Sequence, residues 1–187
     1  VERIFLSVVI PSYEEMANLQ KGVLEKVTSF LDKKKHLYEI IVVDDGSIDG
    51  SVEFVEEFMK EHKHVFLIKN PHLGKAGAVT AGVLNAKGKY ILFTDMDQAT
   101  PIEEIDKLLP FFEEGYDIVI GSRSGERKNA PFSRLIMSRA VIILRKMIVG
   151  LYGISDTQCG FISFKNEVGN NIFKKLKEIH GGFASIS

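Results

Sequence analysis

Two aspartates one residue apart, Asp95 and Asp97, follow directly on the apolar run Tyr90-Ile91-Leu92-Phe93, and Pro101 then opens a helix. A short apolar run bounded by polar residues reads as a strand buried on both faces. Such a strand ending in Asp-x-Asp sets two carboxylates at the carboxyl edge of a sheet, where open α/β folds take their ligands. Two anions this close repel each other unless a cation lies between them, and hard divalent ions prefer oxygen. The pair therefore predicts a Mg²⁺ or Mn²⁺ site for a diphosphate.

Other chemistry-bearing residues also sit just past apolar runs. Tyr13 and Glu15 follow Leu6–Ile10, Asp44 and Asp45 follow Tyr38–Val43, and Arg123 follows Ile118–Gly121. Asp44-Asp45-Gly46-Ser47 reads either as a turn and helix cap or as a nucleotide contact. Its position after a buried strand, in parallel with the other loops, favours contact. Lys75 either complements its helix electrostatically or touches the nucleotide. Asp156 reads as a loop anchor rather than a base, and Cys159 as packing.

The elements that must carry these groups alternate regularly. Strands are expected at Leu6–Ile10, Tyr38–Val43, Val65–Lys69, Tyr90–Thr94 and Ile118–Gly121, with a last one at Ile162–Phe164. Helices are expected over about Asn18–Asp32, Gly50–Lys60, Ala76–Ala86, Ile102–Glu114 and Glu167–Ile179. The third of these is rich in small residues and can lie close against a neighbour. Strand and helix alternating with short connections predict an α/β fold with a mostly parallel, Rossmann-like central sheet flanked by helices. Loops after parallel strands emerge at one edge, so polar residues distant in sequence converge on one cleft.

Composition narrows the alternatives. At 187 residues, 45% hydrophobic and 26% charged, with net charge −1, the chain reads as one soluble domain, with no overall charge that would favour nucleic acid. One cysteine excludes an internal disulfide and a multi-cysteine zinc site. His62 and His64 lie among lysines and read as solvated surface. Gly74-Lys75 lacks the upstream glycine of a P-loop, and no GxGxxG follows a strand. A diphosphate here is instead held through a metal and arginines. Val1–Ile10 reads as a strand with no cleavage motif. Between Gly121 and Gly150 seven basic residues face one acid. Pro131 and Ser133 open a helix there with Arg134 and Ser138 on one face. That basic amphipathic helix either lies in a membrane interface or packs on the sheet. Leu135–Leu151 is interrupted by Arg139, Arg145 and Lys146, too often to span a bilayer.

Six motifs occur in order: VVIPSYEE at Val8–Glu15, VVDDGSIDGS at Val42–Ser51, LGKAGAVTAG at Leu73–Gly82, DMD at Asp95–Asp97, GSR at Gly121–Arg123 and DTQCGF at Asp156–Phe161. Together they resemble family 2 glycosyltransferases of the GT-A fold, within them the dolichyl or polyprenyl phosphate hexose synthases. The resemblance implies inverting transfer of a hexose from a nucleotide sugar to a lipid phosphate. It implies that Pro11, Tyr13, Glu15, Val43, Asp44 and Asp45 line the nucleotide, together with Lys75. It makes Asp95 and Asp97 the metal ligands, with Met96 alongside. Arg123, Arg134 and Ser138 take the acceptor phosphate, and Asp95, Asp97 and Arg123 form the catalytic set. Ala99-Thr100 and DTQCGF look more like the dolichyl-phosphate glucosyltransferase branch, favouring UDP-glucose over GDP-mannose.

The same resemblance implies a single catalytic domain over 1–187. Residues 1–121 form its nucleotide-sugar half and 122–187 its acceptor side. Such enzymes usually continue with an aromatic-Asp-x-Glu segment and often with membrane helices, so truncation at the C-terminus is expected here. The expected location is cytoplasmic, peripheral at a membrane face. Rival readings are a family 2 transferase using a hydroxyl acceptor, a nucleotidyltransferase, and a non-catalytic module that binds nucleotide sugar. A hydroxyl acceptor would require a carboxylate base and would leave the arginine-serine helix without a task. Pro11–Glu15 lacks the glycine-rich signature of a nucleotidyltransferase.

Overall fold

Strand β1, Leu6–Ser12, pairs in parallel with β2, Tyr38–Asp44, on one side and with β4, Tyr90–Thr94, on the other. A strand flanked on both edges and covered on both faces has no wet side, which is why Leu6–Ile10 carries no alternation. The computed structural model describes residues 3–121 and 160–183, with side chains through 178. Strand β3, Val65–Lys69, pairs in parallel with β2, and the sheet has six strands in the order β3-β2-β1-β4-β6-β5. Here β5 is Ile118–Ile120 and β6 is Phe161–Lys165. Strand β6 runs antiparallel to both neighbours, β4 and β5, so the other five strands share one direction.

The expected helix over Asn18–Asp32 is two helices, α1 (Met16–Leu19) and α2 (Val23–Leu31). Gly22 breaks it: its φ of 76° is left-handed, a conformation open to glycine at little cost. Helices α3 (Ser51–Glu61) and α4 (Gly74–Asn85) fall where the pattern placed them. The segment after Pro101 starts as a 3-10 turn, Ile102–Glu104, before α5, Ile105–Glu113. Helix α6 spans Asn166–Phe183.

One face of the sheet presents Val9, Ile41, Val43, Ile91 and Phe164 to α4, with Phe173 of α6 packed against them. On the other face Tyr90 stacks on Phe112 of α5, ring centroids 4.5 Å apart. At the amino end of the sheet a buried polar network closes the turn feeding β4. Ser7 Oγ donates to Glu39 Oε1 at 2.6 Å and accepts from Gly88 N–H, while the Lys87 N–H donates to the same Glu39 oxygen. These bonds fix where β4 begins, and so where its acidic end projects.

Helix α4 approaches β1 closely because it offers small residues there. A Cβ on Gly82 would stand 2.3 Å from Val9 Cγ1 and 3.0 Å from Val43 Cγ2. Alanine would gain about 1 kcal/mol in helix propensity, but forcing a methyl into a packed core costs about 1–3 kcal/mol. Val9 and Val43 are fully buried and have nowhere to move. Gly82→Ala is therefore expected to destabilise the chain by about 1 kcal/mol net, read as a lower urea midpoint with an unchanged slope.

Candidate active site

The sheet reverses its order at β1: β2 and β3 lie to one side, and the chain then crosses to β4 on the other. In an open α/β sheet such a switch point leaves a crevice at the carboxyl ends of the strands. A cleft of about 330 Å³ occupies it. Its walls are Pro11 and Ser12 at the end of β1, Tyr13 and Glu15 just after it, Asp45 after β2, His72, Gly74, Lys75 and Ala78 from the β3–α4 loop and α4, and Asp95, Met96 and Asp97 after β4. Eight of the ten expected nucleotide-sugar residues thus share one cavity.

Asp45 organises the cleft floor. Its Oδ1 accepts from Asn70 Nδ2 at 2.7 Å and from the Leu73 N–H at 3.0 Å, and its Oδ2 accepts from the Gly74 N–H at 2.7 Å. His72 Nδ1 donates to the Asp45 carbonyl at 2.7 Å, and its ring packs 4.7 Å from that of Tyr13. Burial by itself would raise the Asp45 carboxyl. The bonds from Asn70, Leu73 and Gly74 and the neighbouring His72 outweigh it and hold the group below the usual carboxylate range. One buried carboxylate therefore curls residues 70–74 over the cleft and starts α4.

Asp44 has a different task. Its Oδ2 accepts from the Gly46 and Ser47 N–H groups at 3.0 Å each, a turn that lets the chain leave β2. Its Oδ1 is buried with no hydrogen-bond partner among the described residues, and Asp44, expected at the nucleotide, does not line the cleft. Ser12 Oγ, at the partner position of Asp44 in the β1–β2 pairing, is likewise buried without a partner among the described residues. Val43 lies in the core under α4 and does not reach the cleft wall.

At the acidic pair, Met96 is 1% exposed and anchors the loop in the core, leaving the flanking carboxylates on the cleft. Asp97 Oδ1 accepts from the Ala99 N–H at 3.0 Å, and Asp95 Oδ1 stands 2.6 Å from Lys75 Nζ. Gln98 adopts a left-handed φ of 48°, and its Nε2 donates back to the Asp95 carbonyl at 2.9 Å. It locks the turn and does not line the cleft. Across the cleft Glu14 is also left-handed, at 52°, with its N–H donating to Ser47 Oγ at 2.8 Å. Non-glycine residues held this way cluster at ligand sites, where the surroundings over-determine them.

Sequence reasoning missed Ser12, His72, Gly74 and Ala78 as cleft residues, and it undervalued the loop after β3. The signal was present in Asn70-Pro71-His72-Leu73-Gly74, but it is the Asp45 carboxylate that bends this loop inward. Gly160 was missed as well. A Cβ there would stand 1.9 Å from Asp95 Oδ2, so any side chain at this position would push the Asp95 carboxylate from its place. Arg123, Arg134, Ser138, Asp156 and Cys159 lie outside the described residues, as does the basic helix expected around them.

The hydrogen bonds of Asp45 predict a local effect. Asp45→Asn loses the charge that strengthens three of them, at about 2 kcal/mol for a buried charged acceptor. The amides of Leu73 and Gly74 are expected to exchange hydrogen faster, with β1 unchanged. Because the native carboxyl titrates low, this contribution is complete above its ordinary value of 3.8. It disappears as pH falls through the lowered native value, so wild-type loop protection should persist at pH 5 and fail only in stronger acid.

Among the described residues no helix is long and apolar enough to cross a membrane. The profile of glycosyl transferase family 2 matches residues 7–173. A dolichyl-phosphate beta-glucosyltransferase of Trichomonas vaginalis is 34% identical over 188 residues, covering 91% of this chain and 56% of the relative. The dolichyl-phosphate beta-glucosyltransferase of Saccharomyces cerevisiae is 32% identical, covering 94% of this chain and 59% of the relative. The chain thus spans a little over half the length of these relatives. Among solved structures, a mannosyltransferase of Pyrobaculum calidifontis in complex with GDP-Man and Mn²⁺ superposes with a TM-score of 0.62 at 18% identity, over 92% of this chain and 47% of that one. A six-stranded sheet with a ligand-sized cleft at its switch point, matched along nearly its whole length by one family's pattern, places this chain in glycosyl transferase family 2, with the GT-A fold.

Proposed function

We propose that this chain transfers glucose from UDP-glucose to a polyprenyl or dolichyl phosphate with inversion at the anomeric carbon. The observation that carries the reading is the cleft itself. It gathers Tyr13, Asp45, Asp95 and Asp97 from three separate loops, and Lys75 from the start of α4, at the carboxyl edge of the sheet. The names of the relatives supply the substrate class.

Residues 1–121 then serve the donor. Pro11, Tyr13 and Glu15 flank the nucleotide on one side of the cleft, with Asp45 and Lys75 on the other wall. Residues 122–187 serve the acceptor, with Arg123, Arg134 and Ser138 gathering its phosphate. An acceptor phosphate oxygen attacks the anomeric carbon as the bond from that carbon to the diphosphate oxygen breaks. A phosphate monoester is already ionised near neutral pH, so the attack needs no strong base. What the protein must do is align the attacking oxygen and gather the anions.

The acidic pair fits a divalent cation. Asp95 already draws a cationic group to 2.6 Å, and both carboxylates offer hard oxygen donors. Among the described residues no three acidic, histidine or cysteine side chains group as ligands, so the reading rests on the two carboxylates themselves. Bound by Asp95 and Asp97, Mg²⁺ or Mn²⁺ would supply Lewis-acid stabilisation of the departing nucleoside diphosphate.

Calorimetry with UDP-glucose and GDP-mannose, each with and without Mn²⁺, tests the reading; tighter, Mn²⁺-dependent binding of UDP-glucose is expected. Asp97→Ala should lose several kcal/mol of transition-state stabilisation, seen as loss of transfer to polyprenyl phosphate with an unchanged circular dichroism spectrum. Normal turnover would end the assignment of Asp97. Arg134→Gln should raise the acceptor KM far more than the donor KM, and equal effects on both would remove Arg134 from the acceptor site.

A further inference from the structure

We infer that Lys75 occupies the cation position on Asp95 while the cleft is empty, and yields it when a divalent ion and the donor diphosphate bind together. The inference rests on the reading of the cleft as a nucleotide-sugar site, and deepens it by assigning Lys75 to the coupling of cation and donor.

The geometry has three parts. Asp95 Oδ1 is buried and among the described residues no hydrogen bond aligns on it; its partner there is the Lys75 ammonium, in ion-pair contact at 2.6 Å. Among the described residues no other lysine, arginine or histidine bridges Asp95. The Asp95 side chain is 30% exposed, so water screens the bridge, and a cation of higher charge can take the place of the ammonium.

The backbone that carries Lys75 is also fixed. Its neighbour Gly74 donates to Asp45 Oδ2 at 2.7 Å, and α4 begins there. The side chain, in contrast, is 61% exposed, with its ammonium 5.6 Å from the centre of the Phe93 ring. Ion pairs this open to water are weak. An anchored stem with a loosely held ammonium suits exchange.

The chemistry of exchange follows. A divalent ion arriving alone must displace the ammonium and brings no new anion for it to meet. When the ion arrives with a diphosphate, the displaced ammonium gains a new anionic partner in the same cleft. Cation and nucleotide therefore bind cooperatively, and by linkage each strengthens the other by the same factor.

The experiment titrates the chain with Mn²⁺ alone, followed by electron paramagnetic resonance of the free ion, and with UDP by calorimetry at zero and saturating Mn²⁺. Wild type, Lys75→Met, Lys75→Arg and Asp95→Asn are compared, with circular dichroism confirming the fold of each. Lys75→Met is expected to bind Mn²⁺ alone about fivefold or more tightly than wild type, and UDP with Mn²⁺ more weakly by a similar factor. These opposite signs would not arise from a lysine that only lines the wall. Lys75→Arg keeps the charge and should retain wild-type weakness toward Mn²⁺ alone, whereas Asp95→Asn should lose Mn²⁺ in every titration. If wild type binds UDP in a Mn²⁺-dependent way but Lys75→Met shows Mn²⁺ affinity equal to or below it, the inference falls and the reading of the cleft stands. A wild-type chain that binds neither UDP nor Mn²⁺ removes both.

Discussion

The parallel pairing of β1 with β4 is the constraint on which the site depends. It brings Val9 level with Phe93, so that Ser12-Tyr13 and Asp95-Met96-Asp97 leave the sheet at the same edge. Without that pairing the two loops would be far apart in sequence with nothing to join them. The pairing is itself prepared at the other end of the strands, where Ser7 and Glu39 capture the amides of Lys87 and Gly88. Buried polar groups of this kind demand complete satisfaction, and they fix register more strictly than apolar contact alone.

On this frame the cleft is built from carboxylates with separate duties. Asp44 shapes a turn, Asp45 curls the neighbouring loop, Asp49 receives the first N–H of α1, and Asp95 and Asp97 face the cavity. The negative charge that the structural carboxylates carry is matched by backbone N–H groups and, at Asp45, the Asn70 amide, while that of Asp95 is matched by an ammonium. A carboxylate satisfied by fixed amides is permanent scaffolding. One satisfied by a side chain half in water is available for exchange.

Much of this was legible in the residues. Runs such as Tyr38–Val43 and Tyr90–Phe93 announced buried strands, and the acidic or aromatic residues after them announced the edge at which a ligand would sit. The small residues of α4 announced its close approach to β1. Three features were not legible. The break at Gly22 depends on a left-handed backbone that the surrounding apolar periodicity conceals. The curl of residues 70–74 depends on hydrogen bonds to a carboxylate 25 or more residues earlier. The direction of β6 and its place between β4 and β5 depend on long-range pairing, which a local apolar run such as Phe161–Phe164 does not encode.

That placement of β6 has an evolutionary consequence. The chain leaves the sheet after β5 and returns at Gly160, where the absence of a side chain lets the returning backbone meet the Asp95 carboxylate. Both borders of residues 122–159 are thus fixed by sheet registry: β5 pairs with β6, and β6 pairs with the strand that leads into the acidic pair. Sequence change is therefore most constrained at these borders, where a slip of one residue would turn every side chain of β6 to the opposite face.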